Sequence, residues 1–186
     1  MPVVSLIGMP GGGKSTVGRQ LAKRLNLPFA DSDQHIERRI GSSIATFFER
    51  EGEPRFREIE AEVLRELLDG TSRVIATGGG IVLREDNREL LQQRSVAFYL
   101  RSTPEELFRR VRHDMRRPLL QVADPLARLR DLNASRDALY RQTAHYVIET
   151  GRPSISTLVN MILMQLELAG FVDPAAVPSS VAATLR

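Results

Sequence analysis

The sequence predicts an α/β fold in which a parallel sheet is covered by helices on both faces. Three observations carry this reading. Five short apolar runs of strand length recur along the chain, separated by segments of helical periodicity. The first run leads directly into a glycine-rich turn and then a helix, a strand–turn–helix order. The chain has 186 residues and is 42% hydrophobic, which suits one domain with a sizeable core.

The elements follow in order. "VVSLI" (3–7) reads as a buried strand that Gly8 breaks, and a helix runs from Lys14 to about Leu25 with Val17, Leu21 and Leu25 on one face. Residues 27–30 form a second strand, followed by a helix starting near Gln34 that Asp33 is placed to cap. Pro54 opens a helix that buries Ile59, Val63 and Leu67. "RVIAT" (73–77), "VAFYL" (96–100) and "YVIE" (146–149) complete the strands. Thr103-Pro104-Glu105-Glu106 is a capping box with Pro at the first helical position, and Asp124-Pro125 starts a further helix. The last helix covers about 155–169 before Gly170. Residues 1–170 are expected to form a single domain; 171–186, with two prolines and no periodicity, reads as a loosely structured tail.

Composition narrows the function classes. No apolar run approaches the roughly 20 residues that span a bilayer, and the N-terminus lacks a signal-peptide layout. There is no cysteine, hence neither a disulfide framework nor a thiolate metal site. A cytoplasmic monomer without a membrane partner is expected. The pI is about 9.8, yet the net charge is only +3, because 24 of the 26 basic residues are Arg. No basic run is long enough to act as a nucleic-acid tail, so no nucleic-acid partner is expected. Lys14 and Lys23 are the only lysines, which makes each more informative than any single Arg.

"GMPGGGKST" (8–16) matches G-x-x-x-x-G-K-[ST] through Gly8, Gly13, Lys14 and Ser15. Backbone N–H groups at Gly11, Gly12 and Gly13 can turn in around a β-phosphate, with Thr16 completing the set. Lys14 reaches the β/γ-phosphates, and the Ser15 hydroxyl can ligate Mg²⁺. A nucleoside triphosphate is the implied ligand. Asp31 ends the second strand at the edge where open parallel sheets place ligands, and it can approach Mg²⁺ directly or through water. Asp33, two residues on along a strand-like segment, would point the same way but lie several ångströms off, toward a second substrate. The competing reading is that both acids cap the next helix. A second carboxylate is useful where an alcohol must be deprotonated or aimed, which points to a kinase of a small hydroxylated molecule.

Three features outline an acceptor pocket. Arg57 lies in the first turns of the Pro54 helix, where Glu60 at i+3 can orient it; alone it would read as a solvated surface residue. Arg136 falls on the apolar stripe of Leu129, Leu132, Leu139 and Tyr140, and a charge aimed at the core needs a partner or ligand. Two such arginines suit a planar carboxylate. "TGGG" (77–80) follows the third strand, where glycine N–H groups can bond a ligand directly. Between two helices, residues 109–124 carry five arginines and Pro118, the composition of a loop that closes over phosphates, with the lid itself at about 112–124. His35, His113 and His145 share no metal or triad spacing and read as structural or surface residues.

Taken together, "GMPGGGKST", "DSD", "FREIE", "TGGG" and "RRPLL", in this order and spacing, resemble the shikimate kinase family over roughly residues 3–165. The resemblance implies a three-layer P-loop fold related to nucleoside-monophosphate kinases, with a five-stranded parallel sheet in order 2-3-1-4-5, substrate-binding helices at about 33–61 and a mobile lid. It implies transfer of the γ-phosphoryl of ATP to the 3-hydroxyl of shikimate, on the route to chorismate and aromatic amino acids. It assigns Lys14 to the β/γ-phosphates, Ser15 and Asp31 to Mg²⁺, and Asp33 to the shikimate hydroxyl. Arg57 and Arg136 fall to the shikimate carboxylate, and Gly78, Gly79 and Gly80 to the pocket lining. Arg117 matches the lid arginine, and Arg110 and Arg152 match positions near the adenine. Competing readings are a kinase of another polyol such as gluconate, a nucleotide kinase, and a silent P-loop regulator. The first would not need two carboxylate-binding arginines, the second would need a base-recognition site, and the third should lack one of Lys14, Asp31, Asp33 or Arg117.

Overall fold

The computed structural model describes residues 1–112 and 122–173. Its five parallel strands are β1 (Val3–Ile7), β2 (Phe29–Asp31), β3 (Val74–Ala76), β4 (Ser95–Arg101) and β5 (Tyr146–Glu149), arranged in the order β2-β3-β1-β4-β5. The helices are α1 (Lys14–Leu25), α2 (Ser32–Ile40), α3 (Ile44–Leu67), α4 (Glu85–Arg94), α5 (Pro104–Val111), α6 (Pro125–Thr143) and α7 (Ile155–Leu168).

Alternation along the strands creates two cores. Val4, Leu6, Val74, Phe98 and Leu100 face α1 and α7, packing with Val17, Leu21, Ile162 and Leu166. Val3, Ile7, Ile75 and Tyr99 face the other way, against Phe56, Val63 and Leu64 of α3 and Leu129 and Tyr140 of α6. Strands with both faces buried read as continuous apolar runs, which is why β1, β3 and β4 are legible in sequence. Register then fixes the ligand edge. Leu6 pairs with Ala76, and Ala76 with Asp31, so the loops after β1, β2 and β3 leave the sheet abreast.

Several boundaries differ from expectation, for local reasons. β2 begins at Phe29 rather than residue 27, because Asn26 in a left-handed conformation ends α1 and the Leu27 N–H bonds back to the Ala22 carbonyl at 2.9 Å. α2 begins at Ser32 rather than near Gln34, and its cap is Asp31, not Asp33. Pro54 lies within a longer helical stretch whose first half, capped by Ser43, was not expected; Gly52 breaks it, so Pro54 still opens the part that carries Arg57. α4 was also missed: it has no side-chain cap and buries only Asn87 and Leu91, too little for a clear period. The capping boundaries at Thr103 and Asp124 are as expected. Val172, in the stretch read as a loose tail, is buried in the α1–α7 core. Residues 174–186 lie outside the described residues.

At Gly52 the backbone takes φ 80° and ψ 167°, a region essentially closed to side chains with a Cβ. Gly52→Ala is expected to lower stability by about 1–3 kcal/mol. The denaturant midpoint should fall at unchanged m value; an unchanged midpoint would contradict the role of this kink.

Candidate active site

The site lies where β1, β2 and β3 end. After β1 the chain turns through Gly8–Gly13 into α1, whose N-terminus has no side-chain cap and no acidic residue in its first turn. No acidic side chain of its own first turn therefore offsets its positive end, which faces the loop. The buried Lys14 folds back over the loop, donating from Nζ to the carbonyls of Gly8 at 2.9 Å and Met9 at 2.8 Å. The loop forms the floor of a cavity of about 470 Å³ that is also lined by Asp31, Asp33, Thr77, Gly79, Arg110 and Val111.

The two acids have different tasks. Asp31 Oδ1 accepts the backbone N–H groups of Asp33 at 3.1 Å and Gln34 at 3.4 Å, capping α2. That fixes the carboxylate and leaves Oδ2 to accept the Ser15 hydroxyl at 2.6 Å. Of the two acids expected as caps, only Asp31 caps α2, and the same carboxylate accepts the phosphate-loop Ser15 hydroxyl. Asp33 is not on a strand-like segment with Asp31 but in the first turn of α2, and the helical turn, not strand alternation, sets their separation. Burial raises its pKa above the ordinary 3.8; Lys14 pulls it down, while Asp31 and Glu37 push it up.

Beside Asp33 stands a wall built around residues 78–80. A Cβ on Gly78 would lie 2.6 Å from Asp33 Oδ1 and 3.2 Å from Glu60 Oε1. One on Gly79 would lie 2.6 Å from Pro10 Cδ in the phosphate loop, and one on Gly80 would fall on the Arg57 guanidinium. The three glycines are required by these close approaches. The expectation that their N–H groups face a ligand fails at Gly78, whose N–H is already bonded to Ser32 Oγ at 3.0 Å.

Arg57 is far from a solvated surface residue: its side chain is 15% exposed, and that of Glu60 only 1%. Arg57 donates to Glu60 at 2.7 Å and to Glu53 at 2.9 Å, with its guanidinium 5.1 Å from the Phe56 ring centroid. Burial raises the pKa of Glu60 against the opposing pull of Arg57. From α6, Arg136 Nη1 donates to the Gly79 carbonyl at 3.3 Å. Arg110 donates to Ser102 Oγ at 3.2 Å and to the Thr150 carbonyl at 2.6 Å, at the far side of the cavity. Arg152 is exposed and does not line it. Arg117 and most of the expected lid lie outside the described residues. Sequence reasoning missed Glu53, Ser32 and Pro10; only their spatial neighbours reveal them.

Comparison with known proteins agrees with this layout. The shikimate kinase family model matches residues 10–167. The chain belongs to the shikimate kinase family. Shikimate kinases of Paracidovorax citrulli and Ralstonia nicotianae are 55% and 53% identical to it, over 92% and 95% of this chain and 96% and 93% of theirs. The structure of shikimate kinase from Acinetobacter baumannii in complex with shikimate superposes with a TM-score of 0.86 at 46% identity, covering 93% of this chain and 96% of that one. The β2-β3-β1-β4-β5 order and the helices on both faces are accordingly those expected of a shikimate kinase.

Burial of Asp33 has a measurable cost. The unfolded carboxyl ionises near 3.8, whereas the folded one holds its proton to higher pH. Between the two values the native state binds more protons, so stability is lost as pH rises through the folded pKa. Asp33→Asn should therefore melt above the parent protein at about pH 8, and the gap should close as pH falls to about 4. Thermal melts across that range check it; a variant less stable at high pH would contradict it.

Proposed function

We propose that the phosphate loop and the Asp33–Arg57–Arg136 wall are the donor and acceptor halves of one phosphoryl-transfer site. The protein is an ATP-dependent kinase of shikimate: it moves the γ-phosphoryl group of ATP to the 3-hydroxyl of shikimate, giving shikimate 3-phosphate and ADP, in aromatic amino acid biosynthesis. The observation that carries the division of roles is the placement of Asp33 between the loop lysine and the arginine wall, with Gly78 as spacer.

In the donor half, Gly11, Gly12, Gly13 and Thr16 line the cavity around the phosphates, and Lys14 leaves its two carbonyl acceptors to meet the β/γ-oxygens. The Ser15 hydroxyl and the Asp31 carboxylate, 2.6 Å apart, are hard oxygen donors of the kind that hold Mg²⁺ with few protein ligands. When bound, Mg²⁺ would neutralise phosphate charge as it develops. Arg110 flanks the nucleotide; Arg152 and the lid residue Arg117 are assigned to the same substrate by family resemblance.

In the acceptor half, Arg57 and Arg136 hold the shikimate carboxylate, and Gly78, Gly79 and Gly80 let the ring come close. Asp33 takes the hydroxyl proton as the oxygen attacks the γ-phosphorus; the new O–P bond forms while the bond to the β-phosphate bridging oxygen breaks, releasing ADP. The raised Asp33 pKa makes its carboxylate a stronger base than that of a surface aspartate. The same reading makes the protein a cytoplasmic monomer acting on small molecules, without nucleic-acid or membrane partners. Its catalytic domain spans 1–170.

ADP release in the presence of ATP and Mg²⁺ should depend on shikimate, and release indifferent to shikimate would refute the activity. Asp33→Asn should keep ATP binding while turnover falls by about 10²–10⁴-fold. Lys14→Met should instead weaken the nucleotide step. Normal turnover by Asp33→Asn would remove that carboxylate from the chemistry.

A further inference from the structure

The Gly79 carbonyl accepts two donors, both from α6. One is the long bond from Arg136 Nη1 at 3.3 Å, and the other comes from the hydroxyl of Tyr140, one helical turn further along. The Arg136 contact is long for a hydrogen bond, and the phenol is the nearer of the two donors. Tyr140 is fully buried and stacked on Tyr99, with ring centroids 4.9 Å apart. Burial pushes its pKa up to about 12, so the hydroxyl remains a donor at any working pH.

The position of that carbonyl matters. Gly79 is pressed against Pro10 of the phosphate loop and lines the cavity, while Arg136 must offer its guanidinium to the acceptor. The carbonyl is half-buried at the cavity wall, and the other donor already on it is Arg136 itself. Were the phenol absent, the long Arg136 bond would be free to shorten into a charge-assisted one, drawing the guanidinium further onto the carbonyl and away from its ligand.

We infer that Tyr140 is a positioning residue for the acceptor: by satisfying the Gly79 carbonyl, its hydroxyl leaves Arg136 available to the shikimate carboxylate. This rests on the acceptor role given to Arg136 above. Nothing in the sequence beyond the i, i+4 spacing on the α6 stripe distinguishes Tyr140 from an ordinary core aromatic.

Steady-state kinetics of Tyr140→Phe test it. The KM for shikimate should rise about tenfold, with kcat and the KM for ATP within about twofold of the parent. In an Arg136→Ala background the same change should add less than about twofold to the shikimate KM, since the residue it serves is gone. Tyr99→Phe, which removes a neighbouring hydroxyl bonded to Asp137 at 2.8 Å, should leave the shikimate KM within about twofold. The inference is overturned by an unchanged shikimate KM, by equal rises in both KM values, by full additivity with Arg136→Ala, or by the same effect from Tyr99→Phe. Failure of the functional reading would look different: the parent protein itself would show no shikimate-dependent ADP release.

Discussion

The proposed acceptor side of this enzyme depends on the close approach of three side chains to one turn. At residues 78–80 the backbone has no Cβ, and into that space press Asp33 from α2, Pro10 from the phosphate loop and Arg57 from α3. Each contact brings in a different element, and none tolerates an added methyl group without displacement. The phosphate loop, Asp33 and Arg57 can therefore meet at one turn because three glycines follow β3. Phosphoryl transfer relies mainly on positioning and charge stabilisation, so such packing bears directly on rate.

Electrostatics on the two sides of this turn are arranged in opposite ways. On the donor side, an uncapped helix N-terminus and a buried lysine present positive charge, balanced by Asp31 through Ser15. On the proposed acceptor side, Glu60 is buried beneath Arg57 and pairs with it at 2.7 Å, which fixes the orientation of the guanidinium. Removing either partner of such a pair would strand a buried charge, which is why both persist in a site that pays for them in stability. Asp33, between the two sides, keeps its proton longer than a surface aspartate.

Much of this was readable from residue order. Strands buried on both faces give unbroken apolar runs, and the phosphate loop, the capping box at Thr103 and the Asp124-Pro125 start are local signals that need no tertiary context. Arg136 was recognisable because a charge on an apolar stripe is out of place. What remained hidden was set by neighbours distant in sequence. Which of Asp31 and Asp33 caps the helix could not be read until α2 was seen to begin at Ser32. The glycines after β3 were read as ligand-facing N–H donors, whereas Ser32 occupies one and side chains from three elements occupy the space around them. α4 has too few buried residues to show a period.

The most direct test is calorimetric titration of Gly80→Ala with shikimate and, separately, with ATP. The added Cβ falls on the Arg57 guanidinium, which Glu60 and Glu53 hold in place, and its three nearest atoms all belong to Arg57. Shikimate affinity should drop more than about tenfold while ATP affinity stays within about twofold. Wild-type shikimate binding by Gly80→Ala would contradict the claim that this turn assembles the acceptor site.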